Sequence, residues 1–125
     1  MGISFSDALG MKEAALKVRT QRAGVLASNL ANVNTPGYKA RDINFQEALR
    51  SQMSQTDMAN GKSGASHDFG ANLYYRTPHQ PSVDGNTVEE SVEHAEYMKN
   101  SLEFQTSFTM LNGSFKALRK AIKGE

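Results

Sequence analysis

Three histidines are the side chains of this 125-residue chain best suited to bind a metal or to move a proton. His67, His79 and His94 each lack a second ligand at helical or strand spacing. Glu90 precedes His94 by four residues and would share its helix face, but a lone pair of this kind is typical of solvated surface. The sequence therefore predicts no metal site and no cofactor.

Other patterns for catalysis are also lacking in the sequence. Gly61-Lys62-Ser63 is similar to the end of a phosphate-binding loop, but that motif needs glycine where Thr56 stands and a hydrophobic strand before it. The chain has no nucleophile elbow, no dinucleotide fingerprint and no cysteine, which excludes a thiol nucleophile and a thiolate metal site. We therefore predict no catalytic residues and no enzyme activity.

Charge is balanced overall but segregated along the chain. Lys and Arg number 14 against 13 Asp and Glu, so no strong overall field favours nucleic acid or an anionic membrane. One basic group stands near the C-terminus: Lys116, Arg119, Lys120 and Lys123. It lacks stacking aromatics on the same face, so charge that complements a helix dipole is favoured over a nucleic-acid site.

The first residues have neither the charged start, the apolar stretch nor the small-residue cleavage site of a secretory signal. No run of about 18 apolar residues could span a bilayer. If the protein leaves the cytosol, we expect a route that needs no cleaved signal.

Apolar periodicity predicts a long helix over residues 6–33. It includes a strict seven-residue series, Leu9, Leu16, Ala23 and Leu30. The sequence Thr35-Pro36-Gly37-Tyr38 predicts the helix end, because Pro36 disfavours helical geometry before it and Gly37 suits the positive φ of a type II turn.

Residues 34–86 are predicted to form that turn, an extended connector and a loop region. Within them, 45–53 favours a short helix, 73–76 a short strand and 84–86 a second turn. The polar stretch 51–86 is either a flexible surface loop or a functional one, because structureless loops of this length are uncommon in compact domains.

A second long helix is predicted over residues 87–123, opened by a capping box at Thr87-Val88-Glu89-Glu90. Its apolar positions alternate spacings of four and three, which is typical of a coiled-coil seam: Phe104, Phe108, Leu111, Phe115, Leu118 and Ile122. Leu102 belongs to an upstream stripe of slightly different phase and is also predicted to serve helix pairing or a subunit interface. We predict a mainly α fold, with one domain over 1–125 in which the two terminal helices pair as an antiparallel coiled-coil-like hairpin. Much apolar surface would stay exposed in a monomer, which is typical of an interaction surface.

At this point the chain resembles a known family. The residues Asn29, Leu30, Ala31 and Asn32, followed by Thr35, Pro36, Gly37 and Tyr38, are similar to the N-terminal signature of the bacterial flagellar axial proteins, the rod and hook family. Segments 38–45, 73–76, 80–88 and 100–105 extend the resemblance over nearly the whole chain, least specifically at 50–72.

The resemblance implies a structural subunit of the proximal rod of the flagellar basal body, in the periplasm. Such a subunit self-assembles with other axial proteins into the drive shaft linking the export gate and MS ring to the distal rod, and is needed for motility. It would leave the cytoplasm through the flagellar type III apparatus without a cleaved signal. Its expected partners are other copies of itself, the junction protein FliE, the rod protein FlgC and the export gate, with no nucleic acid and no membrane insertion.

The resemblance also assigns expected roles to residues. The apolar series of both helices would serve helix pairing and subunit interfaces, and four connector residues would touch neighbouring subunits: Lys39, Arg41, Asp42 and Phe45. Phe5 and Leu9 fit a short Phe-x-x-x-hydrophobic export signal, as Phe45 and Leu49 also do, although both pairs could equally be ordinary seam positions. Asn29 and Asn32 either cap the last helical carbonyls or bond across an interface.

Two other classes remain open from the sequence. One is a helical secreted binding module or chaperone-like protein of a type III secretion system, which would form a defined small oligomer. The other is a basic-tailed regulator of nucleic acid, which would show salt-dependent binding.

Overall fold

The computed structural model describes residues 5–59 and 73–124 and is mainly helical. Its elements in chain order are α1 (Phe5–Ala31), β1 (Arg41–Ile43), α2 (Phe45–Ala59), β2 (Leu73–Tyr75) and α3 (Glu90–Lys123). The predicted fold class is confirmed, with two long terminal helices, a short middle helix and short strands. His67 and residues 61–63, which were considered above for a metal site and a phosphate-binding loop, lie outside the described residues.

The two long helices pack side by side in opposite directions. Near one end of the pair, the Lys12 ammonium donates to the Ser114 hydroxyl at 2.7 Å. Towards the other end, the Arg22 guanidinium donates to Glu96 at 2.7 Å. Residues later in α1 contact residues earlier in α3, so the hairpin is antiparallel as predicted. With 34 residues, α3 is about 50 Å long at 1.5 Å per residue.

The apolar core lies where α1, α2 and the two strands meet. Its buried members are Val18, Ile43 and Ala48, and its partly buried members are Val25, Phe45 and Leu73. The strands pair antiparallel with Asp42 opposite Tyr74. The strand predicted at 73–76 thus exists as β2.

The buried apolar positions of α1 differ from the seven-residue series. Ala14, Val18 and Leu26 are at most 4% exposed. The four residues of the series are all half-buried: Leu9, Leu16, Ala23 and Leu30. α1 packs against α2, α3 and β1, so its buried residues lie on more than one side of the helix. A seven-residue series describes only the side that faces one partner helix.

The end of α2 and the start of α3 differ from the prediction. α2 extends to Ala59 rather than ending near residue 53. α3 begins at Glu90, and Glu89 at its N-cap makes no side-chain capping bond. The predicted capping box is wrong, because the Thr87 hydroxyl accepts a bond from the Ala40 amide instead.

Candidate assembly interface

The chain leaves α1 through a tight turn at Thr35-Pro36-Gly37-Tyr38. The Tyr38 amide donates to the Thr35 carbonyl at 3.2 Å and Gly37 has a φ of 76°. Proline in the second position and a positive φ in the third are the features of a type II turn. The predicted terminator is therefore formed as expected.

This turn bonds to a second turn that precedes α3. The Gly37 amide donates to the Asp84 carbonyl at 2.9 Å, and the Thr87 amide donates to the Tyr38 carbonyl at 2.9 Å. Gly85 in the second turn has a φ of 77°. We call the two turns together the clasp, which comprises residues 35–40 and 84–87.

Asn86 fills the centre of the clasp. Its side chain is 6% exposed, and its Nδ2 lies 2.8–3.0 Å from the carbonyl oxygens of Asn32, Val33 and Thr35. Its Oδ1 accepts a bond from the Val88 amide at 2.7 Å. The carbonyls of Asn32 and Thr35 also accept bonds from the amides of Thr35 and Tyr38. Asn86 adds a further donor to these two carbonyls and to that of Val33, from 51 to 54 residues further along the chain.

Asn29 and Asn32 both have hydrogen-bond partners within the chain, and the partners differ. Asn32 donates to the Ser28 carbonyl at 2.8 Å and so caps its own helix. Asn29 is fully buried and exchanges two bonds with the Arg41 backbone, at 2.7 and 3.1 Å. It also donates to Glu93 at 3.0 Å, so it joins α1, β1 and α3.

A cluster of buried and partly buried charged side chains lies near the clasp. The Arg22 guanidinium forms a two-pronged contact with the Asp42 carboxylate, at 2.9 and 3.0 Å, and also reaches Glu96. Arg76 donates to Asp42 at 2.6 Å and to Glu93. We call Arg22, Asp42, Arg76, Glu93 and Glu96 the ion cluster. It ties both strands to both long helices.

The two buried carboxyl groups of the cluster have opposite pKa shifts. Burial alone would raise the pKa of Asp42, but hydrogen bonds from Arg22 and Arg76 outweigh it and hold the pKa below its ordinary value. Burial also raises the pKa of Glu93, and there the bond from Asn29 and the charge of Arg76 only partly oppose it. The hydrogen bond with Asp42 is the main cause that raises the pKa of Arg22.

Two of the four connector residues face their own chain. Asp42 is 3% exposed and its carboxylate is engaged by the ion cluster, which corrects the expectation that it touches a neighbouring subunit. Burial of a carboxylate is costly without a cationic partner, and here Arg22 and Arg76 supply that partner. Phe45 is half-buried with the Arg19 guanidinium 4.4 Å from its ring centre.

The other two connector residues are exposed. Lys39 donates from Nζ to the Gly85 carbonyl at 2.6 Å, within the clasp. The Arg41 guanidinium lies 5.8 Å from the ring centre of Tyr75. Their side chains remain accessible beside the clasp, where contact with a neighbour stays a prediction.

The C-terminal half of α3 presents apolar side chains to solvent. Phe108, Phe115 and Ile122 are 54%, 51% and 78% exposed and follow one another at seven-residue intervals. We call these three residues the α3 column. The other residues of the predicted seam are half-buried: Phe104, Leu111 and Leu118. Leu102 is 66% exposed.

The remaining candidate residues do not converge. His94 is exposed, with its Nε2 3.7 Å from the Glu90 carboxylate, and His79 is exposed between β2 and α3. Within residues 5–59 and 73–124, no three His, Cys, Asp or Glu side chains are grouped as a metal site. Leu9 of the candidate export signal is half-buried. No helix in the described part of the chain is long and apolar enough to cross a membrane.

The hairpin is held by polar bonds at one end and exposes apolar side chains at the other. This arrangement is typical of a structural protein that is completed by assembly. Comparison with known proteins identifies the family. A family model described as flagella basal body rod protein matches residues 12–39. The flagellar basal body rod protein FlgB of Aeromonas hydrophila is 45% identical over 100% of this chain and 99% of its own length. FlgB of Cereibacter sphaeroides is 43% identical over 97% and 98%, and that of Escherichia coli K12 is 38% identical over 93% of each. The chain belongs to the FlgB family of flagellar basal body rod proteins.

The ion cluster was missed by sequence reasoning. Arg22, Asp42, Arg76 and Glu93 are separated by 17 to 34 residues, and no local spacing links them. For the clasp, one signal was available in the sequence. Asn86 stands beside Gly85 in the predicted turn, and an asparagine in that position often forms hydrogen bonds with the backbone.

Proposed function

We propose that this chain is a structural subunit of the proximal rod of the flagellar basal body. It assembles with other axial proteins into the drive shaft between the export gate, with its MS ring, and the distal rod. Membership of the FlgB family supports the rod assignment. The single observation that carries the assembly role is the α3 column, which leaves three large apolar side chains at least half exposed along one helix.

The clasp supports a mechanical role within such a shaft. It fixes the end of α1 to the start of α3 through backbone and side-chain bonds, and the ion cluster fixes the strands to both helices. A subunit that transmits torque needs a junction that does not open when its helices are loaded. The accessible side chains of Lys39 and Arg41 lie beside this junction, where we place contacts with neighbouring subunits.

The partners that fit this role are other copies of the chain, the junction protein FliE, the rod protein FlgC and the export gate. The location that follows is the periplasm, reached through the flagellar type III apparatus without a cleaved signal. Phe5 and Leu9 are the candidate export signal. A secretion assay on Phe5→Ala tests it, with Met11→Ala as the control on the same helix; unimpaired export of Phe5→Ala removes the hypothesis.

Complementation tests the proposed function. The chain is expressed in an Aeromonas hydrophila strain that lacks its own FlgB, and swimming and purified basal bodies are examined. We expect restored motility and the chain in the basal-body fraction. A chain that is exported and stable but absent from basal bodies would contradict the proposal.

A further inference from the structure

The α3 column has the dimensions of a seam for one helix. Ile122 lies 14 residues after Phe108, a distance of about 21 Å at 1.5 Å per residue. The column is one side chain wide, because its neighbours Leu111 and Leu118 are half-buried. Helices that lie in a membrane surface present a much broader apolar face, so the narrow column fits a partner helix better than lipid.

A row of positive charge follows the column. At about 100° per residue, its four side chains fall on a continuous arc next to the apolar residues: Lys116, Arg119, Lys120 and Lys123. All four are exposed. None forms an ion pair with another side chain of the described residues. Charges that flank a helix seam select partners of opposite charge, so the partner is expected to carry acidic residues beside its own apolar seam.

The described residues of a second copy do not present such a surface. The acidic residues Glu96 and Glu103, seven apart on α3, are already paired inside the hairpin with Arg22 and Arg19. Glu13 is paired with Lys17. The exposed acids that remain in the described residues lie on separate elements: Glu47 on α2, Asp84 in the clasp and Glu90 at the start of α3. Two columns in direct contact would bring four cations from each copy together, which is unfavourable.

We propose that the α3 column and its basic row dock an acidic amphipathic helix of a different protein. The inference rests on the proposed function, because it assigns a partner to a subunit completed by assembly. The apolar residues supply most of the affinity, and the basic row selects an acidic partner over a second copy. The column thereby directs the subunit towards unlike neighbours.

A peptide-binding experiment on the purified full chain tests this proposal. The probe is a labelled synthetic helix of about four heptads with leucine at the seam and glutamate on both flanks. The matched control peptide has lysine in place of every glutamate. We expect binding of the glutamate peptide alone, weakened by salt and at least about tenfold by Phe115→Ser. The combined change K116Q/R119Q/K120Q/K123Q is expected to weaken binding similarly. Met98→Ser changes an apolar residue of α3 that is 69% exposed and lies outside the column, and it is expected to leave binding unchanged. Circular dichroism verifies that each variant is folded.

Any of four results would overturn the inference. Equal binding of both peptides would show that charge does not select the partner, and binding of neither peptide would show that the column does not dock such a helix. Self-association in sedimentation equilibrium that Phe115→Ser abolishes would assign the column to a second copy. Binding to phosphatidylglycerol vesicles but not to the glutamate peptide would assign it to a membrane surface. Restored motility with failed peptide binding rejects this inference alone, whereas peptide binding without complementation rejects the rod assignment alone.

Discussion

The two ends of the helical hairpin are built from different interactions. At the clasp end, buried polar groups such as Asn29, Asn86 and Glu93 find their partners within the chain. At the far end, Phe108, Phe115 and Ile122 are more than half exposed. The contrast indicates that one end holds its shape alone, and that the other is completed by a neighbour.

Polar contacts of this kind give a junction a defined geometry, because each buried group is costly unless its partner is in place. An apolar column imposes no such requirement, since it can slide or exchange partners during assembly. Substitutions at the clasp end test how much its stability depends on bonds within its own chain.

Arg76→Ala is expected to have the largest effect on stability. It leaves Asp42 and Glu93 buried with one cation fewer, and breaking a buried ion pair in this way costs about 3–5 kcal/mol. Chemical denaturation of the isolated protein measures the loss, with the exposed Arg50→Ala as control. A loss for Arg76→Ala no greater than for Arg50→Ala would mean that the ion cluster does not hold the junction.

Asn86→Ala is expected to cost about 1–3 kcal/mol, because three carbonyl groups lose their shared donor. Asn86→Asp preserves the size of the side chain but turns an acceptor towards those carbonyls, so it is expected to destabilise at least as much. Denaturant midpoints are compared with Asn112→Ala, which changes an exposed asparagine of α3. If Asn86→Asp is neutral, the capping role is wrong.

Gly37→Val is expected to damage assembly more than helix formation. A β-branched residue at a φ of 76° is strained by about 1–3 kcal/mol, although no atom of the described residues lies within 4 Å of the added Cβ. The helical circular dichroism signal is expected to stay nearly unchanged, while motility is lost. Gly37→Asn, which tolerates this backbone region, serves as the milder control; equal motility for Val and Asn would argue against a strained clasp.

The pH dependence of stability is expected to show the smallest effect. Asp42 has a lowered pKa, so its contribution is present above its ordinary pKa of 3.8 and is lost as the pH falls further. Burial raises the pKa of Glu93 above its ordinary value of 4.5, so the cost of its ionised form is complete above its folded pKa and is relieved as the pH falls through that pKa. Unfolding free energies are expected to rise on mild acidification in the wild type but not in Glu93→Gln. Parallel profiles for the two proteins would show that Glu93 does not titrate in this way.

Features encoded in neighbouring residues could be predicted from the sequence. The helical hairpin followed from apolar periodicity, and the turn at Gly37 followed from the proline and glycine that its φ requires. The start of α3 could not be predicted in this way. Thr87 matched a local capping pattern, but a bond from Ala40, 47 residues away, uses its hydroxyl instead.

The roles of Asp42 and Arg76 depend on where distant elements meet. A carboxylate in a short strand is ordinarily a surface residue, and only the approach of Arg22 from α1 and Arg76 from beyond β2 makes its burial favourable. The column was visible as a seam in the sequence. Its exposure was not, because that depends on which side of α3 faces α1.

Hydrogen–deuterium exchange of the isolated full-length protein tests the central comparison most directly. Amides at the clasp end, in residues 26–40 and 84–100, are expected to exchange slowly because buried bonds within the chain hold them. Amides of residues 108–123 are expected to exchange much faster until a partner is bound. Equal protection at both ends, or faster exchange at the clasp, would contradict the account.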